Sequence, residues 1–153
     1  MIRIGLISDT HNLLRPEARR ALAGVDRILH AGDICGAAVL DELREIAPLI
    51  AVRGNNDHGP WADAIAVTET VEISGFLIHM LHDLDELDID PYAAGIQVMV
   101  SGHSHHPLIE RKGGVLFVNP GSAGPRRFKL PISMAVLEIA HGRVDAKLIE
   151  LQP

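Results

Sequence analysis

Five short segments of this chain each close an apolar run with residues able to bind a metal ion. They are Asp9-Thr10-His11, Gly32-Asp33, Gly54-Asn55-Asn56-Asp57, His82-Asp83 and Gly102-His103-Ser104-His105. A strand that stops at a carboxylate, an amide or an imidazole delivers that group to a sheet edge, where loops meet and ligands bind. The fold must therefore be one that brings several strand ends to a common edge.

The first third alternates. Residues 2–8 are short, β-branched and followed at once by a polar loop, which predicts a buried strand. Residues 16–23 predict a helix, with Pro16 in its first turn and Gly24 stopping it. A second strand is expected over 27–30 and a helix over 37–47. That helix carries Val39, Leu40, Leu43, Ile46 and Ala47 on one stripe before Pro48 ends it. A third strand over 49–52 runs into Gly54-Asn55. Such β-α-β-α-β alternation implies parallel strands with crossover helices.

The remainder changes character. Residues 67–73 and 76–81 flank Ser74-Gly75, a hairpin signal, and residues 84–87 predict an acidic helical turn. Further strands are expected over 96–100, 115–118, 133–139 and 143–148, the last two around His141-Gly142. So many strands exceed one small sheet, and two packed sheets with helices outside is the economical architecture. The 153 residues are expected to form one domain, 1–153, with no internal repeat or linker.

Composition removes several classes. A hydrophobic fraction of 47% with 22% charged residues is globular. A net charge of −6 argues against general nucleic-acid binding, so a site handling phosphate needs local positive charge, which metal ions would supply. Cys35 is the single cysteine, which excludes an internal disulfide and a Cys-rich zinc site. The run after Met1 is too short for a signal-peptide core, and no stretch is long and apolar enough to span a bilayer. A cytoplasmic protein with no membrane partner is expected.

Each segment alone has an ordinary reading beside the metal reading. Asp9-Thr10-His11 could be a loop with a helix cap, although residues i and i+2 of an extended loop point the same way and can share an ion. Asp33 could cap the helix near Ala37, and Asn55 could be a turn residue. His82 could be a half-buried histidine bonded to backbone. Gly102-His103-Ser104-His105 is the most specific element, because two imidazoles on one loop rarely serve packing alone. Oxygen donors mixed with imidazole suit Mn, Fe or Zn better than Ca or Mg. The simplest joint reading is a two-metal hydrolase of phosphate esters.

In order and spacing these segments resemble the calcineurin-like metallophosphoesterases, in particular the small YfcE-type phosphodiesterase branch. The resemblance extends to Asn119-Pro120-Gly121-Ser122, similar to that branch's strand-to-loop turn. It implies an α/β fold built as a two-sheet β-sandwich flanked by helices, in four α/β/β/α layers. It also implies two divalent metal ions, Mn first, with Fe, Ni, Zn or Mg as alternatives. Asp9, His11 and His105 would bind one ion, and Asn55, His82 and His103 the other. Asp33 would bridge them with a hydroxide between, leaving Asp33 and Asn55 at the reaction centre. The implied substrate is a small phosphodiester or a nucleotide-like molecule, and the relatives suggest a homo-oligomer. A eukaryotic retromer subunit with this fold is a scaffold, so a non-catalytic binding role is the alternative.

Two departures from the branch matter. Many relatives carry His where this chain has Asn56, which cannot act as a general acid near neutral pH; good leaving groups should then be favoured. Asp83 stands where relatives often have Gly, and could position a histidine or repel anions. Asp57 and His58 are further auxiliary candidates, the first to orient a ligand, the second to replace the missing acid. Arg126 and Arg127 could hold a substrate phosphate. His79 is expected to be structural, on the opposite strand face from His82. His106 could approach the site, and Cys35 is expected to be small and buried.

Overall fold

Strands and helices form where the apolar periodicity predicts them through the first third. The computed structural model describes all residues, Met1–Pro153. The order is β1 (Ile2–Ile7), α1 (Pro16–Leu22), β2 (Arg27–His30), α2 (Ala37–Arg44) and β3 (Leu49–Ala51). Then follow α3 (Pro60–Asp63), β4 (Thr68–Ile73), β5 (Phe76–Leu81), a 3-10 turn (Leu84–Glu86) and β6 (Val98–Val100). The chain closes with β7 (Leu108–Lys112), β8 (Val115–Asn119), β9 (Ser133–Ala140) and β10 (Arg143–Glu150).

The strands make two five-stranded mixed sheets, in the orders β10-β9-β1-β2-β3 and β4-β5-β6-β8-β7. In the first sheet β1, β2 and β3 run parallel, β9 pairs antiparallel with β1, and the edge strand β10 pairs antiparallel with β9. In the second, β5, β6 and β8 run parallel, with β4 and β7 antiparallel at its edges. Five of these parallel strands, β1, β2, β3, β5 and β6, end at the metal-type segments, and β8 ends at Asn119. Ile7, His30 and Ala51 are level in the first sheet, as are Met80, Val100 and Val118 in the second.

The sheets pack face to face through Ile4, Leu6, Leu29, Ile78, Met80, Val98 and Val118. The helices α1 and α2 cover the first sheet's outer face with Ala18, Leu22, Val39, Leu40 and Leu43. The outer face of the second sheet, around Leu81, Met99 and Val115, is covered by Ile96 and Leu87 from the 84–97 segment, whose only helical piece is the 3-10 turn. The fold is thus the expected sandwich flanked by helices, with a thin fourth layer. No helix is long and apolar enough to cross a membrane.

Two elements lie outside the sequence expectations. The edge strand β7 has four exposed positions of five, so no apolar alternation marks it. The helix α3 is four residues long, below the span at which periodicity is readable. The second helix also stops earlier than expected, at Arg44, with Glu45 as its C-cap.

Candidate metal centre

Asp9 ends β1, and its two oxygens have different surroundings. Oδ2 accepts from Ser8 Oγ at 2.6 Å and from the His103 backbone N–H at 3.1 Å. Oδ1 is buried and has no hydrogen-bond partner. It faces three imidazoles instead: His105 Nε2 at 3.3 Å, His11 Nε2 at 3.8 Å and His82 Nε2 at 3.9 Å. Asp33 follows β2, and its Oδ2 lies 3.3 Å from His82 Nε2 and 3.7 Å from His11 Nε2. That single oxygen stands between one histidine of each expected ligand set.

The buried atoms left without partners are Asp9 Oδ1, His11 Nε2, His82 Nε2 and His105 Nδ1. A folded chain rarely leaves such atoms unpaired unless something else fills the role. A transition-metal ion with ligand bonds of ~2.0–2.2 Å holds neighbouring donors about 3.0–3.6 Å apart. The separations around Asp9 and Asp33 are close to that and slightly wider. Two groups of three donors could each hold an ion, Asp9-His11-His105 and Asp9-Asp33-His82.

Tautomers are set by the outer partners. His82 Nδ1 lies 2.7 Å from the Ala31 carbonyl, so Nδ1 carries the proton and Nε2 keeps its lone pair. The backbone-bonded reading and the ligand reading of His82 are both true, one for each nitrogen. Asn55 Oδ1 and His103 Nδ1 meet at 3.1 Å, and the His82 and His103 rings stack edge-on with centroids 5.2 Å apart. Asn55, His82 and His103 share one pocket of about 270 Å³ with Asp83, Glu86 and Asp88.

Charge follows the same logic. Burial opposes ionisation of Asp9, yet the adjacent His105 and the charge of His82 hold its pKa below the usual carboxylate value. Asp33 is likewise lowered against its burial, by His82 and by two hydrogen bonds from Asn56. His82 is raised, because the nearby carboxylates of Asp33 and Asp9 outweigh burial. His11 is lowered by burial despite those two carboxylates. Two carboxylates held anionic beside three imidazoles are a site built for positive charge.

The loops that do this are locally unfavourable. Asp9, His11, Asp33, His103 and His105 all have positive φ, between 46° and 70°. Left-handed non-glycine residues cost on the order of 1–3 kcal/mol each and cluster at functional sites. This corrects the extended-loop expectation: Asp9 and His11 converge because the backbone kinks left-handed at both, and His105 turns to Asp9 while His103 meets Asn55 and Asp83. Gly54 and Gly102 allow the close approach, since a Cβ there would collide with Asp33 and with Ser8 and Asp9 respectively.

A model of the calcineurin-like phosphoesterase superfamily domain matches residues 2–142. The chain belongs to that superfamily. It is 35% identical over 158 aligned positions to a probable metallophosphoesterase of Methanothermobacter thermautotrophicus, covering 95% of this chain and 91% of that protein. It is 25% identical to the phosphodiesterase YfcE of Escherichia coli K12, covering 90% of this chain and 88% of YfcE. Among solved structures, Vps29 of Chaetomium thermophilum superposes with a TM-score of 0.80 at 21% identity, over the whole of both chains, which is a likeness of fold alone.

Against this family background the auxiliary residues sort clearly. Asn56 turns inward: its N–H and its Nδ2 donate to Asp33 Oδ1 and Oδ2, both at 2.9 Å. Asp57 is buried and accepts from the backbone of Asp33, Cys35 and Gly54 at 2.8–3.0 Å, pinning two loops together. Asp83 Oδ2 lies 3.8 Å from His103 Nε2, which fits positioning of that ring, and its other oxygen caps the 3-10 turn. His58 is exposed and makes no side-chain hydrogen bond or ion pair. Arg126 and Arg127 are exposed and form no ion pair, and the charge of Arg127 reaches His11. Cys35 differs from expectation: it is only part-buried, at φ 65°, with Sγ 3.6 Å from His11 Nδ1. His79 is structural as expected, bonded to Thr70 at 2.7 Å.

The supporting bonds of His30, Thr10, Asn119 and Ser122 were not expected from the sequence. His30 is fully buried and joins two loops. The Gly32 N–H donates to its Nδ1 at 3.1 Å, so Nε2 carries the proton and donates to Thr10 Oγ1 at 3.1 Å. Thr10 then donates to the Ile34 carbonyl. Asn119 holds the histidine loop through the Gly102 carbonyl at 2.9 Å, and Ser122 Oγ bonds the Asp9 carbonyl at 3.0 Å. A polar residue at the closing end of an apolar strand was the signal available for His30 and Asn119.

Proposed function

We propose that this chain is a metal-dependent phosphodiesterase with a binuclear centre, acting as one cytoplasmic domain over residues 1–153. The observation that carries the reading is that the buried, unpartnered Nε2 atoms of His11 and His82 face both the unpartnered Asp9 Oδ1 and Asp33 Oδ2, at 3.3–3.9 Å. Asp9, His11 and His105 would hold one divalent ion, Asn55, His82 and His103 a second, and Asp33 would bridge. Mn is the favoured ion, since carboxylate, amide and imidazole donors together suit it. When bound, two such ions supply charge to draw in a phosphate diester and acidity to ready a water for attack on phosphorus.

The protein's own groups complete the site. Asp57 and His30 fix the loops, and Asp83 orients His103. Arg126 and Arg127 would take a substrate phosphate. Asn56 donates to Asp33 and has no proton to give a departing alkoxide, so substrates with acidic leaving groups should react best.

The fold likeness to Vps29 leaves a non-catalytic scaffold as the second reading. Unpaired buried donors weigh against it, because a scaffold gains nothing from them. Hydrolysis of bis(p-nitrophenyl) phosphate by chelator-treated protein, with and without added Mn, separates the two. Metal-dependent turnover lost in Asp9→Asn supports the phosphodiesterase. No turnover with any of Mn, Fe, Ni, Zn or Mg supports the scaffold.

A further inference from the structure

The segment after Ser122 leaves the centre by an anchored root. The Ala123 N–H donates to the Ser8 carbonyl at 3.1 Å, and Arg15 donates from Nε and Nη2 to the Gly124 carbonyl at 3.3 and 3.2 Å. A Cβ at Gly124 would collide with the Asp9 and Thr10 carbonyls, so the root lies directly against the metal loop. Beyond it come Arg126, Arg127, Phe128 and Lys129, all exposed, and no acidic group pairs with any of the three cations. In a chain of net charge −6, three unpaired cations beside one another are a local exception.

Phe128 is the odd member. It sits at the first central position of a turn closed by the Leu130 N–H to the Arg127 carbonyl at 3.1 Å. Its φ is 53°, where glycine is the usual choice, and its side chain is 89% exposed. The turn therefore holds a large aromatic ring out into water in a disfavoured conformation, with no packing in return. The ring, Lys129 and Leu130 face His106 across an open groove of about 560 Å³, and His106 directly follows the ligand candidate His105. The pocket of Asn55, His82 and His103 carries Asp83, Glu86 and Asp88 beside a single cation, Arg53.

We propose that the 126–130 turn is a recognition arm for one ester group of the substrate, a flat aromatic arm of nucleotide type. The ring of that arm stacks on Phe128 in the groove facing His106, and Arg126, Arg127 and Lys129 take the accompanying negative charge. This rests on the phosphodiesterase reading for its position and adds the substrate class.

The test uses Mn-loaded protein and three diesters that share one leaving group: methyl, phenyl and thymidine-5′ p-nitrophenyl phosphate. Phe128→Ala is expected to raise KM about tenfold for the thymidine diester, within the range for loss of one base–aromatic stack. It should leave the methyl diester unchanged, and Phe128→Tyr should restore the discrimination. A response to phenyl equal to that for thymidine supports an aromatic arm but overturns the nucleotide assignment. An equal effect on all three diesters, no effect, or a change of oligomeric state in sedimentation without a change in discrimination overturns the proposal. Calorimetric binding of thymidine 5′-phosphate against methyl phosphate separates this from the enzyme reading. Preference for the nucleotide, lost in Phe128→Ala, in a protein that hydrolyses no diester would keep the arm and remove the phosphodiesterase.

Discussion

Asp33 Oδ2 accepts from Asn56 Nδ2 while facing the Nε2 atoms of His82 and His11. A carboxylate so placed can bridge two cations, and its removal leaves their repulsion unscreened. Asp33→Ala is expected to lose turnover and at least one metal ion per chain, measured by elemental analysis after dialysis. Cys35→Ser should change turnover far less, since a hydroxyl can also meet His11 Nδ1. Asn56→His should speed an alkyl p-nitrophenyl-free diester, such as dimethyl phosphate, while hardly changing bis(p-nitrophenyl) phosphate. A positioned acid contributes on the order of 10²–10⁴-fold when the leaving oxygen needs a proton. Equal gains on both substrates would mean that Asn56 acts only through Asp33. His30 gives a stability test: its pKa is 6.5 unfolded and, through burial, about 3 in the fold. Between those values the unfolded chain binds the extra proton, so stability falls as pH falls, and the contribution is complete above 6.5. His82, raised in the fold, works in the opposite direction, so the comparison is made against His30→Gln in metal-free protein. From about pH 6.5 to about pH 5, wild type should lose about 2 kcal/mol relative to that variant in urea unfolding.

The elements that present these residues were legible to different degrees. The β1-α1-β2-α2-β3 unit could be read because each strand is a short β-branched run and α2 has one clear apolar stripe. The two hairpins around Ser74-Gly75 and His141-Gly142 could be read because all four residues need positive φ, which those sequences favour. The edge strand β7 could not, since its side chains face water and carry no alternation. The candidate ligands and their gathering at one sheet edge were legible from the strand ends, but the loop geometry was not: five residues kink left-handed, and single-residue spacing does not encode a kink. Asp57 shows how one side chain carries that loop geometry, accepting from three backbone N–H groups of two loops. Asp57→Asn removes part of that acceptance. Loss of an outer-shell partner typically costs 10–100-fold in metal affinity. Mn titration of the variant should show a loss of that size with its circular dichroism unchanged. Unaltered affinity would mean that the loops hold their shape without Asp57.

Across the whole molecule, two mixed sheets pack so that their parallel strands end at one rim, and the rim is where the unpaired donors lie. The electrostatics divide along it. Asp83, Glu86 and Asp88 flank the Asn55-His82-His103 side, and Arg126 and Arg127 extend from the segment anchored at Asp9. In a chain of net charge −6, bound cations and that basic turn would be the main attraction for a phosphate diester. The central claim is that one rim holds two ions with Asp33 between them. The most direct measurement is anomalous diffraction at the manganese edge from crystals grown with Mn. Two peaks are predicted, roughly 3.5–4 Å apart, one beside Asp9, His11 and His105, the other beside Asn55, His82 and His103, with Asp33 contacting both. A single peak, or peaks away from Asp33, would contradict the account.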